Sequence, residues 1–288
     1  MSRRFAVGGV PEHFNLPWYR AEERELFNEQ GIDFSWRTFP GGTGAMLTAL
    51  ENDEIDVAVL LTEGVVAHIA GGGDAAILGT YVTSPLIWGI HVHQDSPFQE
   101  VQDLRRATFG ISRYHSGSHI MSFILAEQMG WDPGKDVNLE VVRNLVGAQE
   151  ALQSGSADAF LWEKYTTKPV VDSGEWRRIG TTSPPWAPFV LASKREFART
   201  HQEELDKVVG TINELLVEME ESKNETLDAI AERFGLLRED VASWYEQTCW
   251  DLKLSVDSEE LERVISTLLG VGVIAAPLTT ESLILSAA

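Results

Sequence analysis

The sequence predicts an α/β protein of two lobes around a cleft, with C-terminal helices packed on the first lobe. Three observations predict it. Short apolar or alternating runs, bounded by Gly, Pro, Asn and Asp, alternate with helix-period segments as far as about residue 193. Two such blocks meet through short extended segments near 80–86 and 182–188, both containing proline. From Lys194 onward the pattern is helical only.

Taken in order, Phe5 to Gly9 reads as a strand and Val10 to Asn15 as a loop. Pro17 to Gln30 reads as a helix with Trp18, Leu26 and Phe27 inward, closed by Gly31. Ile32 to Phe39 alternates as a strand does. Gly41-Gly42-Thr43-Gly44 leads into a helix from about Ala45 to Asn52, and Asp56 to Leu61 is a buried strand. Glu63 to Ile69 is a short helix before Gly71-Gly72-Gly73, and Ala75 to Val82 and Leu86 to His93 are strands. The second block runs Thr108 to Ser112 (strand), Ser116 to Met129 (helix), Val137 to Val142 (strand), Val146 to Ser154 (helix), Ala157 to Trp162 and Arg178 to Thr182 (strands). Strand Phe189 to Ser193 follows, then helices at 201–221, 225–234, 238–250 and 258–269. The β-then-α spacing predicts parallel sheets. Residues 1–84 and 187–288 are then lobe one and 85–186 lobe two, with hinges near 83–86 and 182–187. Open α/β sheets hold ligands at the carboxyl ends of their strands, here facing the cleft.

The net charge of −21 argues against nucleic acid and anionic membranes as partners. Of the 23 basic residues only seven are Lys, against 44 Asp and Glu, a balance that suits a salt-adapted surface. No run approaches the ~18 apolar residues of a membrane span. Met1-Ser2-Arg3-Arg4 has no apolar region behind it, so the chain as written reads as cytoplasmic, or as periplasmic or cell-surface if a leader has been removed. The single cysteine, Cys249, allows no internal disulfide; it reads as a small buried residue of the helix over 238–250.

Several motifs resemble, in order over about residues 5 to 200, the nitrate, sulfonate, taurine and aminopyrimidine substrate-binding proteins of ABC importers. These are Phe5-Ala6-Val7-Gly8-Gly9-Val10-Pro11, then EERELFNEQGI from Glu22, and GGTGAMLTALENDEIDVAVL over 41–60. VQDLRRATFGISRYHSGSH over 101–119 and ALQSGSADAFLWEKY over 151–165 complete the series. The resemblance implies the type 2 periplasmic-binding fold, two Rossmann-like α/β lobes with the C-terminal helices on lobe one. It implies a small-molecule ligand, an ABC permease as a partner and a monomer. The opening Val10-Pro11-Glu12-His13-Phe14 resembles an unexported subgroup.

Candidate contacts cluster at predicted strand ends. In Ser112-Arg113-Tyr114-His115-Ser116-Gly117-Ser118-His119 a helix N-terminus, two hydroxyls and a guanidinium can hold an anion, although Ser116 or Ser118 would equally serve as an N-cap. Gly42 and Thr43 bring backbone close to a ligand, or simply turn the chain. Thr62 and Glu63 open a helix, where Glu63 meets a ligand ammonium or amidine, or only favours the helix dipole. Glu12, His13 and Asn15 offer hydrogen bonds, with Phe14 over a ring. Trp162 can stack on a flat ligand beside Glu163, and Trp186 is hinge packing or a cleft wall. His91 with His93, and His115 with His119, lack a completing ligand set, so no metal is expected, nor any other cofactor.

The functional expectation is non-enzymatic binding of a small polar or anionic ligand with hinge closure, in an importer or as an intracellular sensor. The ligand is sulfonate- or taurine-like on the strength of Arg113 and the serines, or aminopyrimidine-like on the strength of Phe14, Trp162 and Glu63. The alternative is an enzyme resembling the pyrimidine (thiamine precursor) synthases of the same superfamily. Those rely on a Cys-rich iron-binding segment, which one cysteine cannot supply, and neither His68 nor any of the seven Lys sits in such a motif. A third possibility is a protein-interaction module with an empty, apolar cleft.

Overall fold

The computed structural model describes residues 4–285; Met1 to Arg3, part of the N-terminal reading, lie outside the described residues. Two compact units divide the chain. One holds the chain up to Ser84, Trp186–Ser266 and the chain from Ala276; the other holds Pro85–Pro185 and Thr267–Ala275.

The first unit opens with β1 (Arg4–Gly9), α1 (Leu16–Glu23), β2 (Asp33–Thr38), α2 (Thr43–Glu51), β3 (Val57–Leu61), α3 (Thr62–Ala70) and β4 (Ala76–Val82). The second is built from β5 (Trp88–His93), β6 (Thr108–Ile111), α4 (Gly117–Gln128), α5 (Pro133–Asp136), β7 (Asn138–Val141), α6 (Leu145–Ser154), β8 (Ala159–Glu163), α7 (Lys168–Asp172) and β9 (Trp176–Thr182). Then come β10 (Phe189–Ser193), α8 (Arg195–Thr200), α9 (Gln202–Glu221), α10 (Lys223–Phe234), α11 (Arg238–Tyr245), α12 (Ser258–Gly270) and α13 (Thr280–Leu283).

The strand order is β2-β1-β3-β10-β4 in one sheet and β7-β6-β8-β5-β9 in the other, a single connectivity used twice. In the first, β1 to β3 are parallel while β10 runs antiparallel to both β3 and β4. In the second, β5 runs antiparallel to β8 and β9 in the same place. Four parallel strands and one antiparallel strand correct the expectation of wholly parallel sheets. No helix precedes β5 or β10; each enters directly from an extended segment after another strand, so no crossover sets it parallel. One pair of residues marks the repeat. Asp56 accepts the Ala6 N–H and Asp158 accepts the Thr108 N–H, both at 2.8 Å and both 50 residues apart, pinning the start of β3 to β1 and the start of β8 to β6.

All five residues of β3 and of β10 are buried, which is why their apolar side chains run without alternation. Trp18 and Met46 are fully buried on this sheet, each contributing about 2–3 kcal/mol by area removed from water. Glycine is dictated at Gly79, where a Cβ would stand 1.6 Å from the Lys253 carbonyl. There the segment after α11 runs along β4, with Lys253 N–H on Thr80 O (3.2 Å) and Asp251 N–H on Tyr81 O (3.0 Å).

Two local readings change. The helix expected over 17–30 stops at Glu23, because Glu25 takes the left-handed region (φ 51) and Leu26 N–H reaches back to Ala21 O, a Schellman closure without glycine. Leu26 is only half-buried, and Phe27 turns inward outside the helix. The helix expected over 238–250 stops at Tyr245, and Cys249 is exposed rather than buried. Cys249 lies on the extended stretch that joins β4, its N–H on Ser84 Oγ (3.0 Å) and its carbonyl taking the Thr83 N–H (2.9 Å), so its backbone is held while its side chain is not.

Candidate functional site

In the first unit, the carboxyl ends of β1, β2 and β3 lie at one edge, together with the start of antiparallel β10. The loop after β1 folds into the protein there. Asn15 closes it with Nδ2 on Val10 O (2.9 Å). The His13 ring meets Trp244 edge-on at 4.0 Å, and burial pushes its pKa down to about 3, so it is neutral. Phe14 packs on Phe189 at 4.0 Å, and its carbonyl accepts from Tyr81 Oη (2.7 Å) and Trp250 Nε1 (3.1 Å). Glu12, His13, Phe14 and Asn15 are all buried within this unit.

Five other predicted residues converge on the end of β3. Gly42 takes a conformation that favours glycine (φ 70, ψ −162) at the start of α2 and so turns Thr43 inward. Thr43 Oγ1 accepts the Leu61 N–H at 3.3 Å, and its methyl leaves no room for a Cβ at Gly64 (2.5 Å). Thr62 donates its N–H to Pro188 O (2.9 Å) and its hydroxyl to Ala187 O (2.6 Å). Glu63, fully buried, accepts the Trp186 indole N–H on Oε2 at 3.0 Å, and burial pushes its pKa up to about 7. Trp186 is buried with it.

In the second unit, β6, β7 and β8 end together, beside the start of β5. Ser116 is the N-cap of α4, its Oγ accepting the His119 N–H, as residue type and position predict. Ser118 Oγ accepts the Ser112 N–H (2.9 Å) and lies 3.1 Å from Ser116 Oγ, so the hydroxyls form one cluster under the loop. His115, in the left-handed region (φ 64), donates its N–H to His119 Nδ1 at 3.0 Å. Burial, and secondarily His115 beside it, pushes the His119 pKa down to about 4. Burial also lowers the pKa of half-buried Arg113, while Tyr114 is 58% exposed. At the end of β8, Trp162 stacks on Phe160 (5.4 Å). Glu163 Oε2 takes the N–H groups of Tyr165 (2.8 Å) and Thr166 (2.6 Å), although burial raises its pKa.

One loop at this edge went unnoticed in the sequence. Arg143 and Asn144, between β7 and α6, and Val146 in the first turn of α6 line an open cavity of about 670 Å³, with Arg143 exposed and Asn144 capping α6 at Gly147 N–H (2.9 Å). The signal was an Asn directly before an apolar-periodic segment, matching Gly42 before α2. Another cavity, of about 500 Å³ and mainly apolar, lies by Ile77 and Leu78 at the start of β4, away from the carboxyl ends. Among the described residues no group of three or more His, Cys, Asp or Glu could hold a metal ion. No helix of the described residues is long and apolar enough to cross a membrane.

This double sheet of four parallel strands and one antiparallel strand agrees with solved structures along the whole chain. The Candida albicans CA3427 gene product, which exhibits the generic periplasmic binding protein fold, aligns with a TM-score of 0.89 at 24% identity, over 99% of this chain and 98% of that one. The periplasmic aliphatic sulphonate binding protein SsuA of Escherichia coli aligns at 0.76 and 18% identity, over 100% and 94%. The alkanesulfonate-binding protein SsuA of Xanthomonas axonopodis pv. citri, bound to MOPS, aligns at 0.84 and 15% identity over the full length of both. The chain therefore has the type 2 periplasmic-binding-protein fold. Within it, residues 88–182, most of the second unit, match the family model described as Ca3427-like PBP. No curated protein matches.

Proposed function

We propose that this protein binds one small polar ligand without transforming it, using the strand-end loops of both units. The observation that carries this is full-length agreement in fold with two sulfonate-binding proteins, combined with the candidate groups at the strand ends: Thr43, Thr62 and Glu63 in one unit, Arg113, Tyr114 and Trp162 in the other. A ligand with an anionic group is favoured by Arg113, Arg143 and the amino ends of α4 and α6, where backbone N–H groups point outward. Glu12, His13, Phe14 and Asn15 support such a site from below by shaping the loop after β1.

A role as the binding component of an importer or as an intracellular sensor, and closure about the segments near 83–86 and 182–187, belong to the same proposal. The enzymatic alternative is weakened by the single, exposed Cys249. The test is a thermal-shift panel at high salt with taurine, alkanesulfonates, nitrate, amino acids and aminopyrimidines. A ligand at ~100 times its Kd adds ~2.7 kcal/mol of stability. A raised midpoint that is lost in Arg113→Ala or Trp162→Ala supports the reading; an unmoved midpoint across the panel contradicts it.

A further inference from the structure

Glu63 stands in the first turn of α3, directly beyond β3, and is fully buried. Trp186 Nε1 occupies Oε2 at 3.0 Å, while Oε1 meets no hydrogen-bonding protein group. A buried carboxylate oxygen without a donor is costly, because the interaction given up with water is not replaced. Among the described residues no Arg, Lys or His supplies a counter-charge: burial, Trp186 and backbone hydrogen bonding account for the surroundings of Glu63.

Glu163 is the comparison within the same chain. It is equally buried and closes β8 as Glu63 follows β3. Its Oε2 takes two backbone N–H groups, and the Arg178 guanidinium acts on it electrostatically. Glu163 is satisfied from inside the fold and Glu63 is not. The missing partner of Glu63 is a hydrogen-bond donor, and a positively polarised N–H group also supplies the missing charge.

We propose that Glu63 is a ligand-contacting residue that selects for an ammonium or amidine-like N–H group, which binds Oε1 while Trp186 keeps Oε2. This rests on the small-ligand reading above and gives that ligand its second functional group. The frame is stiff. Thr62 holds Pro188 O and Ala187 O, fixing the segment that carries Trp186, and Trp186 in turn orients the carboxyl group. A site built to pair a donor rejects the isostere lacking it, because the acceptor is then left unpaired.

Calorimetric titration of the full chain with two isosteric pairs tests this. Taurine is paired with propane-1-sulfonate, in which a methyl replaces the ammonium, and 4-aminopyrimidine with 4-methylpyrimidine. The amine-bearing member of at least one pair binds about tenfold or more tightly than its isostere, and Glu63→Gln, checked as folded by its thermal midpoint, removes that preference. Equal affinities within both pairs, or a preference that survives Glu63→Gln, overturn the role of Glu63 and leave small-ligand binding standing. Absence of binding by all four probes overturns the role of Glu63, and small-ligand binding falls with it only where the wider thermal-shift panel is also silent. The wild-type comparison decides the matter even if the variant does not fold.

Discussion

Replacing Glu63 with Gln exchanges a buried carboxyl group for a neutral amide of nearly the same shape, which can still accept from Trp186. In the folded chain the Glu63 pKa stands at about 7, against 4.5 ordinarily, because burial disfavours the charge. The folded state therefore binds the proton more tightly than the unfolded one. Stability from this group is intact below the ordinary value, falls as pH rises towards the folded value, and stays lost above it. At about 1.4 kcal/mol per pH step the total is about 3 kcal/mol, most of which, roughly 2–3 kcal/mol, falls between pH 5 and 8. Urea unfolding of wild type and variant at both pH values gives the difference directly, since every other titrating group and the −21 net charge are nearly common to the two chains. The variant gains roughly 2–3 kcal/mol on the wild type between pH 5 and 8. A difference constant to within about 0.5 kcal/mol would refute the burial argument.

Other predictions follow from the same geometry. His13 and His91 have pKa values lowered to about 3, by burial first and for His91 also by Arg178, so both fold as neutral rings. Their stability contribution is full above the ordinary 6.5 and is lost as pH falls; at pH 5 each costs about 2 kcal/mol, seen most cleanly as a falling urea midpoint in the Glu63→Gln background. Asp56→Ala and Asp158→Ala each strip a part-buried strand N–H of its acceptor and lower stability by about 1–3 kcal/mol, to similar extents in the two units; urea unfolding that shows a loss in only one would contradict the structural repeat. Cys249 reacts with a disulfide reagent in the native state at the rate of a free thiol, and a thiol silent until denaturant is added would contradict its exposure.

Much of the fold was legible because it rests on periodicity. The unbroken apolar runs of β3 and β10 announce central strands, and Ser116 before an apolar helix announces an N-cap. Strand direction was not legible, since β5 and β10 have the same composition whichever way they run; only their helix-free approach distinguishes them. Glu25 ends α1 in the left-handed region without glycine, so no residue type marks the stop. Cys249 looked internal because it lies beside Trp250 in a stretch that reads as an amphipathic helix, yet the chain leaves the helix at Tyr245 to run along β4, a pairing between residues some 170 apart that no local pattern encodes.

The candidate site was legible as positions more than as contacts. Strand ends gave Thr43, Thr62, Glu63 and the 112–119 loop, because parallel strands must turn there. What each side chain does depends on tertiary partners. Two glutamates of the same type and burial differ because one oxygen of Glu163 meets two backbone N–H groups and Arg178 acts on it, while Glu63 has an indole and its own backbone and no cation. Beside Arg143, Asn144 before an apolar-periodic segment marks a helix start, but that pattern does not say that a cavity opens there.

The measurement that bears most directly on small-ligand binding is calorimetric titration of the strongest thermal-shift ligand into the full chain, repeated with Thr43→Ala in one unit and Arg113→Ala in the other. One ligand per chain, with affinity lowered about tenfold or more by each change, is the predicted result. A stoichiometry other than one, or two variants that bind as the wild type does, would contradict it.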